Sequence, residues 1–241
     1  EISCSLVGSE MCIRDRMKMK RSEKLGMFTG LVVGVLLLLI SVFMIFQTTC
    51  KVWGAEKPAN ATQQGIDVSS HQGKIDWEQV KNSALADYAI IRCGYGVNQT
   101  DKDDKYWDYN SSECERLGIP YGTYLYSGAD TTAKAKSEAE HVVRLLQGKN
   151  LTYPIYYDME ADMLNQLSST QIGNIAKTFL NTMESYGYKN VAVYSNKYLF
   201  ETKLTASVFS DYPKWIAQHS NKCTYRGSYH MWQYSTQGMI P

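Results

Sequence analysis

The sequence predicts an α/β fold, and three observations predict it. Short apolar runs of strand length recur at regular spacing from Gln64 to the end of this 241-residue chain. Segments with apolar residues three and four apart fill most of the gaps, and strands alternating with helices imply a parallel sheet. After the fifth strand the connections shorten. Five strand–helix units followed by further strands make a modified TIM-like (β/α)5(β)3 barrel, where chemistry gathers at the C-terminal ends of the strands.

The N-terminal part differs in kind. Residues 1–16, EISCSLVGSEMCIRDR, have no periodicity and precede Met17-Lys18-Met19-Lys20, which has the character of a natural start. They read as a non-native, adapter-like leader, to be set aside together with Cys4 and Cys12. Residues 17–26 form a basic segment carrying Lys18, Lys20, Arg21 and Lys24. The next twenty residues, Met27 to Phe46, carry no charge and are long enough to cross an apolar core of about 30 Å as a transmembrane helix. Positive charge before this run keeps the N-terminus cytoplasmic and sends the rest of the chain outside. Two readings stay open: an uncleaved single-pass anchor in the cell membrane, and a signal peptide whose removal releases a secreted domain. The length of the run favours the anchor, since a signal peptide's apolar region is about 7–15 residues. Cys50 does not make a lipoprotein signal, because Gln47-Thr48-Thr49 lacks the apolar and small residues such a signal carries. Residues 47–63 are poor in apolar side chains and read as a linker.

Residues 64–241 form the barrel. Strands are expected at Gly65–Ser69, Tyr88–Cys93, Pro120–Tyr126, Tyr153–Met159, Asn190–Ser195, Lys214–Gln218 and Tyr229–Tyr234, and helices at Ile75–Ser83, Lys105–Leu117, Thr131–Leu146 and Ser168–Tyr186. Ser168-Ser169-Thr170-Gln171 supplies a helix start. From Glu56 onward there are 18 Lys and Arg against 20 Asp and Glu, a net charge of −2. That balance argues against a nucleic-acid partner, which calls for a concentrated basic face. Cys93, Cys114 and Cys223 lack metal-ligand spacing. Buried free thiols are expected, with a Cys93–Cys114 disulfide as the alternative in an oxidising compartment. No metal or cofactor is expected, and Gly94-Tyr95-Gly96 lacks the third glycine of a nucleotide loop.

The stretch with most chemistry is Tyr153-Pro154-Ile155-Tyr156-Tyr157-Asp158-Met159-Glu160, a buried strand ending in two acids. Alternate residues of a strand share a face, so Asp158 and Glu160 sit side by side with α-carbons about 6.6 Å apart. In a desolvated cleft each charge disfavours the other, so one carboxyl stays protonated while its neighbour is ionised. An Asp-x-Glu pair by itself is common on solvated strand ends. Asp67 closes the first strand, and in a parallel barrel it reaches the same mouth, although a cap or turn role is the ordinary reading of such an aspartate.

Further motifs carry a resemblance. Gly65-Ile66-Asp67-Val68-Ser69-Ser70-His71-Gln72-Gly73 with Ile75-Asp76-Trp77, Gly118-Ile119-Pro120-Tyr121-Gly122-Thr123-Tyr124, Asp158-Met159-Glu160 and Trp232-Gln233-Tyr234-Ser235 together resemble glycoside hydrolase family 25, the lysozymes or N-acetylmuramidases. The likeness spans nearly all of residues 64–241. It implies a peptidoglycan hydrolase, acting on glycan strands as a monomer, that cleaves the β-1,4 bond between N-acetylmuramic acid and N-acetylglucosamine. By the resemblance Glu160 matches the general acid, and Asp158 and Asp67 match supporting acids. It also implies a last barrel strand bearing another acidic residue beyond Trp232–Ser235, and the chain stops before it, so the last strand is expected to be truncated. Tyr124, Tyr194 and Trp215 share the inward parity of the acids and are candidate substrate contacts, with barrel packing as the equal alternative. Tyr156 is expected in the inner core, Tyr157 against the helices, and His71, His219 and His230 as loop or hydrogen-bonding residues. Two other functions compete. A chitinase-like barrel would place aspartates where this chain has Tyr153 and Tyr156, and a membrane-tethered glycan-binding module would bind without cutting.

Overall fold

The computed structural model describes residues 61–238 and the single position Gly34. The expected leader 1–16, basic segment 17–26, anchor 27–46 and most of the linker 47–63 lie outside the described residues, Gly34 excepted. Among the described residues no helix is long and apolar enough to cross a membrane. The fold lies in the second of two compact units, Trp53–Pro241.

Strand β1 (Gly65–Val68) leads through helix α1 (Trp77–Ser83) to β2 (Tyr88–Tyr95), and α2 (Trp107–Leu117) leads to β3 (Tyr121–Tyr126). Helix α3 (Thr132–Leu145), β4 (Ile155–Asp158), α4 (Ser169–Ser185) and β5 (Val191–Asn196) follow. Two short helices, α5 (Lys197–Thr202) and α6 (Val208–Asp211), precede β6 (Lys214–Ala217), and a helix-free connection ends at β7 (Met231–Gln233). The strands pair in sequence order from β1 to β7, and every pairing is parallel. All seven expected strands and four expected helices are therefore present, within a few residues of their expected ends. Helices α5 and α6, six and four residues long, were not expected, because such lengths are too short to display a helical period.

Parallel strands covered on both faces explain the apolar runs. On the outer face Ile91, Leu125, Tyr157 and Val193 pack under Ala139, Ile172, Phe179 and Met183 of the helices. Each Ile, Leu, Val, Phe and Met among them stabilises the fold by roughly 1.5–3 kcal/mol when fully buried. Tyr157 stacks on Phe179 with ring centroids 3.8 Å apart, as its parity requires. On the inner face Ile90, Tyr156, Ala192, Tyr194, Trp215 and Ala217 form a second cluster inside the curled sheet. Helix ends follow local chemistry. Ser168 Oγ accepts from Gln171 N at 3.3 Å while Gln171 Oε1 accepts from Ser168 N at 3.0 Å, a reciprocal cap at the expected start of α4. Helix α2 stops at Gly118, whose φ of 64° is left-handed and free of Cβ strain there. Gly65 is needed for another reason, since a Cβ would meet the Tyr88 ring at 2.3 Å.

The sheet curls far enough for β1 and β7 to meet through side chains. Gln64 Nε2 donates to Tyr234 OH at 3.0 Å, and Gln233 Nε2 donates to Asp67 Oδ2 at 3.1 Å. The alternative disulfide does not form. Cys93, Cys114 and Cys223 are free thiols, and burial pushes the first two up to about 12, which keeps them protonated and inert.

Candidate active site

The C-terminal end of β4 carries the two acids, and the backbone around them is tied from both sides. Asp158 O accepts from Ser127 N at 2.9 Å, Met159 N donates to Tyr194 O at 2.9 Å, and Ser195 Oγ donates to Met159 O at 2.6 Å. Met159 packs into the outer core, so Asp158 before it and Glu160 after it both turn to the barrel mouth. Asp67, at the end of β1, arrives from the other side of the curl.

Asp158 senses both of the other carboxyl groups, and Glu160 senses Asp67. Burial pushes Asp158 well above the ordinary aspartate range, the charges of Glu160 and Asp67 push it further, and Arg92 pulls it back. Asp158 is 3% exposed, and its Oδ1 has no hydrogen-bond partner. Burial also raises Glu160, which is half-buried; His219 opposes the shift and Asp67 adds to it. Asp67 is raised by burial and lowered by the hydrogen bond from Gln233. Asp158 is thus a deep carboxyl held toward its neutral form, and Glu160 is the one with access to solvent. The sequence places these three acids together, and the structure does so.

The predicted aromatic residues lie beneath them. Trp215 has ring centroids 4.4 Å from Tyr194, 5.0 Å from Tyr156 and 6.4 Å from Tyr124. Tyr194 and Trp215 are only 7% and 3% exposed, so they form the floor of the mouth rather than its open wall, and Trp215 Nε1 is buried without a partner. Tyr124 is half-buried. Of the histidines, His230 sits at the opposite end of the barrel, its Nε2 2.8 Å from Tyr156 OH. His71 lies on the rim, 3.4 Å from Arg92 Nη1.

Three residues at the mouth, Gln233, Arg92 and Tyr126, escaped the sequence reading. Gln233 is a hub: its amide donates to Asp67, and its Oε1 accepts from Tyr194 OH at 3.0 Å and from His219 Nε2 at 2.9 Å. With the amide in that orientation, His219 Nε2 is the donor of its pair. Gln233 lay inside a recognised motif, but nothing in sequence showed that β7 would close on β1. His219, expected as a loop or hydrogen-bonding residue, makes that hydrogen bond to Gln233 and also lies close enough to Asp67 and Glu160 to act on both. Arg92 and Tyr126 had a signal. Arg92 is a charge within the apolar run YAIIRCGY of β2, and Tyr126 follows Tyr124 by two residues, so it shares the inner face and pairs in register with Asp158. Among the described residues no cluster of His, Cys, Asp or Glu has the arrangement of a metal centre.

Comparison with known proteins gives the family. The profile described as "Glycosyl hydrolases family 25" matches residues 66–241. The autolytic lysozyme of Clostridium acetobutylicum is 29% identical over 178 residues, which are 73% of this chain and 52% of the relative. The Escherichia coli K12 protein YegX is 25% identical over 189 residues, 76% of this chain and 66% of YegX. The modular autolysin LytC of Streptococcus pneumoniae superposes with a TM-score of 0.67 at 33% identity, covering 74% of this chain and 43% of LytC. LytC has also been solved with a synthetic peptidoglycan ligand. The chain spans between half and two-thirds of the length of these curated relatives.

Proposed function

The chain belongs to glycosyl hydrolases family 25, and from that premise we propose that it is a peptidoglycan hydrolase, a muramidase that cleaves the β-1,4 bond between N-acetylmuramic acid and N-acetylglucosamine. The observation that carries the proposal is the convergence of three carboxyls, Glu160, Asp158 and Asp67, at the C-terminal ends of parallel strands, where burial raises each of them. Glycoside hydrolysis needs a proton for the leaving oxygen and negative charge near the sugar ring as it becomes positive. Glu160, raised and accessible, is the general acid. Asp158 lies deeper. Once its proton has passed to solvent, its carboxylate sets negative charge beside the ring as positive charge develops there. Asp67, oriented by Gln233, adds charge across the mouth. Tyr124, Tyr194 and Trp215 support the sugar from below.

We read the seven strands as the first seven of the eight in the (β/α)5(β)3 barrel of the sequence expectation. The polymer lies outside the cytoplasmic membrane, which agrees with residues 27–46 acting as a single-pass anchor. Recovery of most of the native protein from culture medium would contradict the anchor. The proposed activity is tested by release of reducing ends from purified peptidoglycan, comparing the full chain with Glu160→Gln. Release that the substitution abolishes supports a glycosidase. Binding of glycan with no release replaces this reading with the tethered binding module.

A further inference from the structure

Arg92 is a charge in an otherwise apolar strand, and its hydrogen bonds leave part of it unclaimed. A guanidinium offers five N–H donors in a rigid fork and no acceptor. Nε donates to Asp104 Oδ2 at 2.8 Å, and Nη2 lies 2.8 Å from the same oxygen and 2.9 Å from Ser70 Oγ. The Asp104 side chain is fully buried and is oriented by Ser70 N on Oδ2 and Tyr106 N on Oδ1, each at 2.9 Å. These ties stop the fork from turning. Nη1 has only the 3.4 Å approach to His71 Nε2, long for a hydrogen bond. Its N–H groups are the free ones, on a side chain that is 15% exposed.

Arg92 stands among the groups of the mouth. Arg92 is on the inner face of β2, in register with Tyr124, and its charge acts on both Tyr124 and Asp158. Ser70 and His71, on the turn after β1, bring it to the rim of the mouth. A fixed cation that can only donate rewards an acceptor oxygen, and most of all an anionic one. In a polymer of alternating amino sugars, the group of that kind is the lactyl arm on O3 of muramic acid, which glucosamine lacks. Its oxygen is a carboxylate where the stem peptide has been removed and an amide carbonyl where the stem is present.

We propose that Arg92 Nη1, with His71 beside it, binds this lactyl-arm oxygen and so selects the muramic sugar at the cleaved linkage. The proposal rests on the muramidase reading. It is tested by calorimetric binding to the full chain carrying Glu160→Gln, with three oligosaccharides of equal length: muramic glycan with stems, the same glycan without stems, and a chitin oligosaccharide. Arg92→Gln is expected to weaken both muramic ligands by about tenfold or more, the stem-free one most, and to change chitin binding less than about twofold. Arg92→Lys, which keeps a cation against Asp104, is expected to lose part of the same preference and decides the matter if the Gln variant does not fold. An equal loss on all three ligands makes Arg92 a structural tie and overturns the proposal. Equal binding of all three ligands that Arg92→Gln leaves unchanged overturns the lactyl site alone. A Glu160→Gln chain that binds neither muramic ligand overturns the muramidase reading with it.

Discussion

Tyr157 and Asp158 are consecutive on β4 and point to opposite sides of it, and each side holds a buried carboxyl group. Toward the helices, Glu138 of α3 accepts from Tyr157 OH at 2.6 Å, Gly128 N at 2.8 Å and Ser127 Oγ at 2.9 Å. Toward the barrel interior, Asp158 keeps Oδ1 without any partner. Burial raises both groups, so the direction of the shift does not tell them apart. The partners do. A buried acid ringed by donors is a structural tie, whereas one left unsatisfied at a mouth costs stability and calls for a functional explanation.

This contrast is broken or sharpened most strongly by replacing the two acids in turn. Asp158→Asn is expected to lower kcat/KM on peptidoglycan by about a hundredfold or more, while raising Tm at neutral pH by a few degrees. The sign follows from the raised folded value. Above the unfolded value near pH 4 the unfolded chain releases the proton more readily than the fold does, so ionising Asp158 costs stability that Asn removes. Below about pH 4 the difference should vanish, and a Tm gain that persisted there would sink this account. Glu138→Ala should behave oppositely, leaving Gly128 N and one of the two hydroxyls of Ser127 and Tyr157 without an acceptor and losing about 3 kcal/mol in denaturant unfolding. Its folded fraction should lose far less activity than Asp158→Asn; an equal loss would erase the distinction between the two faces.

Smaller effects lie in the pH profile. As the proposed general acid, Glu160 must be protonated to act, so activity is expected to fall as pH rises through its folded value. Asp67 raises that value, so Asp67→Asn should lower activity about tenfold and move the alkaline limb to lower pH. His219 lowers it, so His219→Gln should move the limb the other way with little change in maximal rate. Limbs that move together, or not at all, would separate the proton donor from Glu160.

Much of this was legible before folding. The apolar run into Asp158 and Glu160 marked a buried strand with acids at its tip, and alternation put Tyr156 and Tyr157 on the faces they occupy. Arg92 and Tyr126 carried signals in charge and parity that the reading passed over. Gln233 and His219 had no comparable signal. They are 166 and 152 positions from Asp67, and only the curl of the sheet brings β7 and the preceding loop to β1. Tyr194 and Trp215 were legible as inward-facing, but not their depth, which depends on how tightly the curled strands pack their rings together.

The sequence by itself determined the parallel α/β order, the strand that carries the acids and the identity of those acids, because period and residue type act over a few neighbouring residues. Only the tertiary structure decided which carboxyl is deep and unpartnered, which is accessible, and which groups hold or oppose their charges. Those properties depend on burial and on distances between residues far apart in the chain, and local pattern carries neither.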